Sequence, residues 1–220
     1  MSILAREQFT QRIQDIKNDV LKMGDLVENL ISIAVTSLRE QNLEVANEVI
    51  EKDDEIDQLE LEIEKECMML LALQQPLAKD LRTIASALKI ITDLERMADH
   101  AVNIAKVTLQ IGKDPLIKPL VDIPKMADLA LEMIKMSLDA FVNEDVELAE
   151  KAAARDEEVD NLYERILDDV LNLIIQNKEF AKQGTKLIFI GRYLERIADH
   201  STNICERTIY MVTGELKEIN

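Results

Sequence analysis

The sequence predicts an all-α protein made of two tandem three-helix bundles related by an internal repeat. Three observations carry this. Apolar residues recur at helical spacing along almost the whole chain. With 47% hydrophobic residues, no tryptophan, five glycines and four prolines in 220 residues, the composition suits long amphipathic helices and offers few of the turns that a sheet needs. Finally, Leu94-Glu95-Arg96-Met97-Ala98-Asp99-His100 returns 100 residues later as Leu194-Glu195-Arg196-Ile197-Ala198-Asp199-His200, and both copies continue into Asn-Ile.

The first helix is expected from about Arg6 to Leu38, on Phe9, Ile13, Ile16, Val20, Met23, Val27, Leu30, Ile31, Ala34 and Leu38. Asn42 suits an N-cap for a second helix that runs to about Gln74, where Pro76 biases the preceding residue out of helical geometry. A third runs from Leu77 to Gln110 and ends at Gly112, which suits a left-handed C-terminal position. Pro115, Pro119 and Pro124 mark the joint. The expected division is therefore a bundle over 1–112, a linker over 113–124 and a second bundle over 125–220. There the series repeats: Lys125 to Val142, Val146 to Gln176, a turn over Asn177 to Gly184, and a last helix to Thr213 with Gly214 beyond it. Aligning Met23 with Met126 and Asp53 with Asp156 needs an offset of 103, against 100 at the Leu-Glu-Arg motif, so three residues are lost before the last helix.

Forty-three acidic against 26 basic residues give a formal charge of −17, which repels nucleic-acid phosphates and anionic lipid headgroups. The N-terminus turns charged at once, unlike a signal peptide, and no apolar run approaches the roughly 18 residues a membrane span needs. Cys67 and Cys205 sit in apolar helical settings and read as reduced core residues. The expectation is a cytoplasmic protein with neither nucleic-acid binding nor membrane insertion.

Carboxylates fall where a bundle should be apolar. Walking the second helix of each half at steps of four and three gives Ala46, Ile50, Asp53, Asp57, Glu60, Glu64, Cys67 and Leu71, then Ala149, Ala153, Asp156, Asp160, Tyr163, Leu167 and Val170. In the third helix Glu95 enters the apolar arc, with Asp99 one turn on. Unpartnered ionised carboxylates are expensive to desolvate, and neighbours one turn apart raise each other's pKa. A cation should compensate. On a helical wheel Arg96 projects about 100° from Glu95 and faces elsewhere. Hard metal ions take several oxygen ligands, so the expected ligand sets are Asp53, Asp57, Glu95 and Asp99, and Asp156, Asp160, Glu195 and Asp199. Residues 48 to 66 hold ten acids against two lysines, so Glu60 and Glu64 are read as part of a solvated face. His100 and His200 also project about 100° from the aspartates before them; Asn103 and Asn203 share the aspartates' face.

The paired Asp-x-x-x-Asp and Leu-Glu-Arg-x-Ala-Asp-His motifs, present twice, resemble the PhoU family of phosphate-uptake regulators, with Gln75 to Arg82 and Ile209 to Glu215 extending the likeness over nearly the whole chain. The resemblance implies multinuclear sites for divalent or trivalent metal ions, such as iron, zinc, manganese or magnesium, at the eight carboxylates named. It also implies a cytoplasmic negative regulator, homodimeric, whose partners are a phosphate transporter ATPase and a phosphate-sensing histidine kinase, with phosphate itself a possible ligand of the metal. The second half departs from the pattern: Lys178 to Gly184 stands where the first has Pro76 to Arg82.

Two rival functions fit a carboxylate-rich bundle. A ferritin-like di-iron enzyme needs Glu-x-x-His ligands, whereas here each motif histidine follows its glutamate by five. A structural helical adaptor would pair its carboxylates without metal. No nucleophile constellation or phosphate-binding glycine loop is visible, so the chain is expected not to be an enzyme.

Overall fold

The computed structural model describes residues 3–74 and 76–219; Met1 and Ser2 of the charged N-terminus, Gln75 and Asn220 lie outside them. Among the described residues there is no strand. Helix α1 spans Ile3–Glu40, α2 Leu43–Gln74 and α3 Ala78–Ile111. The second half has α4 Asp122–Asn143, α5 Val146–Ala153, α6 Asp156–Gln176 and α7 Ala181–Thr213.

The expected punctuation is in place. The Asn42 side chain accepts from the amides of Glu44 and Val45 at 3.2 and 3.3 Å, which satisfies two of the donors at the start of α2. Gly112 and Gly214 end α3 and α7 with φ of +68° and +79°. Three boundaries differ. The second helix of the second half breaks into α5 and α6 at Ala154 and Arg155, whose ψ of −13° and −11° tightens the winding toward a 3₁₀ turn. Helix α4 begins at Asp122 and takes Pro124 into its first turn, where a missing N–H costs nothing. And α7 begins at Ala181 after a 3₁₀ turn at Lys178–Phe180, so Gly184 lies inside a helix and not in the turn expected there. A Cβ there would stand 2.9 Å from both Val170 and Ile174, so α6 comes close enough to require glycine.

Each half is a bundle, α1 to α3 and α4 to α7, and the halves join through α3 against α7 and α1 against α4. One apolar core runs through both. A smaller cluster of alanines with Cys205 and Ile209 lies under α5. Helices α3 and α7 run antiparallel: Arg82 at the start of α3 donates to the carbonyl of Met211 at the end of α7 (3.1 Å), and Lys186 at the start of α7 donates to that of Gln110 at the end of α3 (2.5 Å). Midway the copies His100 and His200 meet, ring centroids 5.8 Å apart. Arg82 thus serves the second half by capping its last helix, and the linker is tied by Gln183, which accepts from the Ile117 amide at 2.7 Å and donates to the Pro115 carbonyl at 3.1 Å.

Candidate metal centre

Asp53, Asp57, Glu95 and Asp99 act on one another across α2 and α3, and Asp160, Glu195 and Asp199 across α6 and α7. In the first half Asp53 is held up at a pKa of about 6, chiefly by burial and then by the charges of Asp57, Asp99 and Asp54, with Lys106 opposing. Burial also raises Glu95, followed by Asp99, Glu60 and Asp57, with Arg96 opposing. Asp53, Asp57, Glu95 and Asp99 are therefore electrostatic neighbours, as the periodicity predicted. In the second half burial and then Asp199 raise both Asp160 and Glu195; Arg192 opposes both shifts, and Arg196 opposes that of Glu195. Glu195 is only 8% exposed and its Oε2 accepts no hydrogen bond. Asp156, 6% exposed in the first turn of α6, lies near enough to Cys205 to add to the rise of that thiol, which burial above all pushes up to about 12. Cys67 is likewise buried and pushed up to about 12, a core thiol with little thiolate character.

The helical wheel misplaces Arg96. Arg96 reaches back to Glu95 (Nε to Oε2, 3.3 Å) and forward to Asp99 (Nη1 to Oδ2, 3.2 Å). Its copy Arg196 reaches Asp199 at 3.1 Å and Glu195 at 4.0 Å, and Arg192 adds a close pair to Glu195. A guanidinium on a long flexible stem covers neighbours that the Cα–Cβ direction alone would deny it. Among the described residues, no three carboxylate, imidazole or thiol groups converge as a ready-made ligand set. The donors nonetheless fit a hard cation in chemistry: acceptor-only oxygens, pKa values raised by burial and then by mutual repulsion, and a buried Glu195 oxygen that accepts no hydrogen bond.

Two acids were not singled out from sequence, one beside the first cluster and one at the seam between α3 and α7. Glu60 accepts from Thr92 at 3.3 Å and borders Asp57 and Glu95; its place on the apolar seam was the signal, outweighed by the acid-rich run around it. Asp93 accepts from Asn203 at 3.1 Å and lies 2.9 Å from the Nδ1 of His200, a role that only the packing of α7 on α3 creates. The histidines face each other rather than the carboxylate clusters. His100 stacks on Tyr193 at 5.7 Å, its buried Nδ1 has no hydrogen-bond partner, and burial followed by the charges of His200, Arg196 and Arg96 lowers its pKa to about 4, with Asp99 opposing.

The raised carboxylates carry a signed pH dependence. Asp53, with a folded pKa near 6 above its ordinary value of 3.8, binds its proton more tightly in the folded state, so its contribution falls as pH rises between those values. In metal-free protein Asp53→Asn is expected to raise the melting temperature at pH 7.5, where the wild-type group is ionised at a cost, and to leave it unchanged near pH 4. Comparing the two proteins across that range cancels the opposite trend from His100, which resists protonation in the fold. A gain independent of pH would show that the charge of Asp53 is not strained.

The sequence profile described as the PhoU domain matches residues 20–108 and 123–208, once in each half. A phosphate-specific transport system accessory protein PhoU homolog from Clostridium acetobutylicum is 38% identical over 218 residues, covering 99% of this chain and all of the relative. One from Aquifex aeolicus is 39% identical over 94% of this chain and 93% of the relative. The crystal structure of PhoU from Pseudomonas aeruginosa superposes with a TM-score of 0.90 at 34% identity over 94% of this chain and all of that one. The phosphate transport system regulatory protein PhoU from Streptococcus pneumoniae gives 0.90 at 34% over 96% and all of its chain. With both halves matched and the full length covered, the chain belongs to the PhoU family.

Proposed function

We propose that this protein is a metal-binding accessory of a phosphate-specific transport system, restraining phosphate uptake and the phosphate-starvation response when phosphate is plentiful. It acts in the cytoplasm, as a homodimer, between the transporter ATPase and a phosphate-sensing histidine kinase, and performs no chemistry of its own. The observation that carries the metal part is the duplicated grouping of carboxylates across two helices, with Asp53 and Glu95 raised beside Asp57 and Asp99, and Asp160 and Glu195 raised beside Asp199. The transport part rests on the likeness to phosphate-specific transport system accessory and regulatory proteins.

A bound cation would neutralise each cluster and hold the second and third helices of a half together. The chain's own contribution is to aim the carboxylates from rigid helices and to keep arginines at hand as counterions when no metal is bound. Long bundle helices present broad faces for partner helices. A ferritin-like oxidase asks for Glu-x-x-His ligands that the chain does not carry. Among the described residues, no helix is long and apolar enough to cross a membrane. The test is genetic. Deleting the gene in its host is expected to leave starvation-response genes expressed in high-phosphate medium, and reintroducing it to silence them. Continued repression in the deletion strain, with neither kinase nor transporter captured by the tagged protein, removes the proposal; a mass of 25.0 kDa by light scattering removes the homodimer.

A further inference from the structure

The central helices differ in charge from the rest of this acidic chain. Helices α3 and α7 together carry ten lysines and arginines against seven acids, whereas α2 carries two against eleven and α6 one against seven. Three of those cations, Arg96, Arg192 and Arg196, now lie on the motif carboxylates. Arg96 and Arg196 each stand one helical turn before a motif histidine, and the two histidine rings meet, so the arginines flank the place where the two motif copies meet. Beside them a line of rings crosses the seam: Phe189, 50% exposed, stacks on Tyr193 at 6.4 Å, Tyr193 on His100 at 5.7 Å, and His100 lies 5.8 Å from His200. The repeat partner of Phe189 is Lys89, an exposed cation on the α3 side of the same seam.

A solvent-exposed guanidinium–carboxylate pair is weak and exchanges readily. A multivalent cation among several carboxylates is the stronger competitor for the same oxygens. Loading the clusters would therefore free the arginines from these carboxylates, while the one acid described on the seam, Asp93, is already engaged by His200 and Asn203.

We propose that the α3–α7 face is a docking surface for an acidic helical segment of a partner protein, completed when metal in the two clusters releases Arg96, Arg192 and Arg196. The proposal rests on the metal reading above. Charge complementarity selects the occupant: released arginines and Lys89 call for carboxylates, and the half-exposed Phe189 calls for one apolar side chain among them. Metal and partner are thereby coupled, since each favours the arrangement the other needs.

The probe is a fluorescein-labelled helical peptide of glutamates and alanines with one central leucine, followed by anisotropy, with metal content measured on the same samples. Manganese(II)-loaded protein is expected to bind the peptide at least about ten-fold more tightly than metal-free protein. The Arg96→Gln/Arg192→Gln/Arg196→Gln variant should take up the same manganese and lose the peptide. Phe189→Ser, which touches neither carboxylates nor arginines, should keep the manganese and weaken the peptide. Equal binding with and without manganese, or full binding by the triple variant, overturns the proposal; the latter would mean that the metal itself holds the peptide. Metal-dependent self-association that the triple variant loses would give the face to a second copy of this chain and overturn the heterologous partner. If the wild-type protein takes up no manganese, the metal reading fails and this coupling with it, whereas full uptake without peptide binding fails the docking surface alone.

Discussion

Replacing Asp99 and Asp199 together by alanine is expected to abolish stoichiometric binding of divalent or trivalent cations. Each aspartate is the shared member of its cluster: Asp99 bears on both Asp53 and Glu95, and Asp199 on both Asp160 and Glu195. Without them the carboxylates of the two helices lose their common neighbour. Metal analysis after purification without chelators checks this directly. A thermal shift checks it independently, since a ligand that binds only the folded state at a hundred times its Kd adds about 2.7 kcal/mol; wild type should gain with added metal and the double variant should not. In metal-free protein the sign reverses, because the substitution relieves repulsion among raised carboxylates. A double variant that keeps its full metal content would remove these residues from the site.

Phe141→Ala is expected to destabilise the whole molecule by about 3–5 kcal/mol, the usual cost of emptying a fully buried aromatic site. For a chain of this length that is a fall in melting temperature of roughly 6–20 °C. Phe141 is wholly buried near the end of α4, and Lys17, 5% exposed, places its ammonium 5.8 Å from the ring centroid. Lys17 also donates to the Val142 carbonyl at 3.3 Å and to Glu144 at 2.9 Å, while Lys79 reaches the other oxygen of Glu144 at 2.6 Å. One corner thus fastens α1 and α3 of the first half to the end of α4. Because the apolar core is continuous, denaturant should show a single transition moved to lower midpoint. A variant that unfolds in two steps, with the first half unaffected, would show that the halves are independent.

Local rules made most of the fold legible. Asn42, Gly112 and Gly214 place helix ends where they are found, because caps and positive φ are decided by a few adjacent residues. The seam periodicity located the carboxylates for the same reason: a helix fixes which side chains share a face. What escaped depends on distant partners or on side-chain length. The break at Ala154 and Arg155 has neither glycine nor proline to announce it. Gly184 reads as a turn until α6 is seen against it. Arg96 was placed by the direction of its Cβ, yet its guanidinium comes round to Glu95 and Asp99. Asp93 looks like one more surface acid until α7 brings His200 and Asn203 to it.

Equivalent residues of the two halves meet each other at His100 and His200, as at the dyad of a dimer with both copies in one chain. In separate subunits every substitution appears twice, so the two sides of a dyad must stay alike. Tethering removes that constraint, and the two sides have since specialised. Position 93 is an aspartate that hydrogen-bonds one histidine, while its copy at 193 is a tyrosine that stacks on the other. Glu60 borders the first cluster, while its counterpart Tyr163 lies under Arg192 at 6.0 Å. On the metal-binding reading proposed above, the two clusters would therefore be free to differ in affinity and in the ion they prefer. Asymmetry of that kind would let one half fill before the other, a graded response that an unfused pair of identical chains could reach only by negative cooperativity.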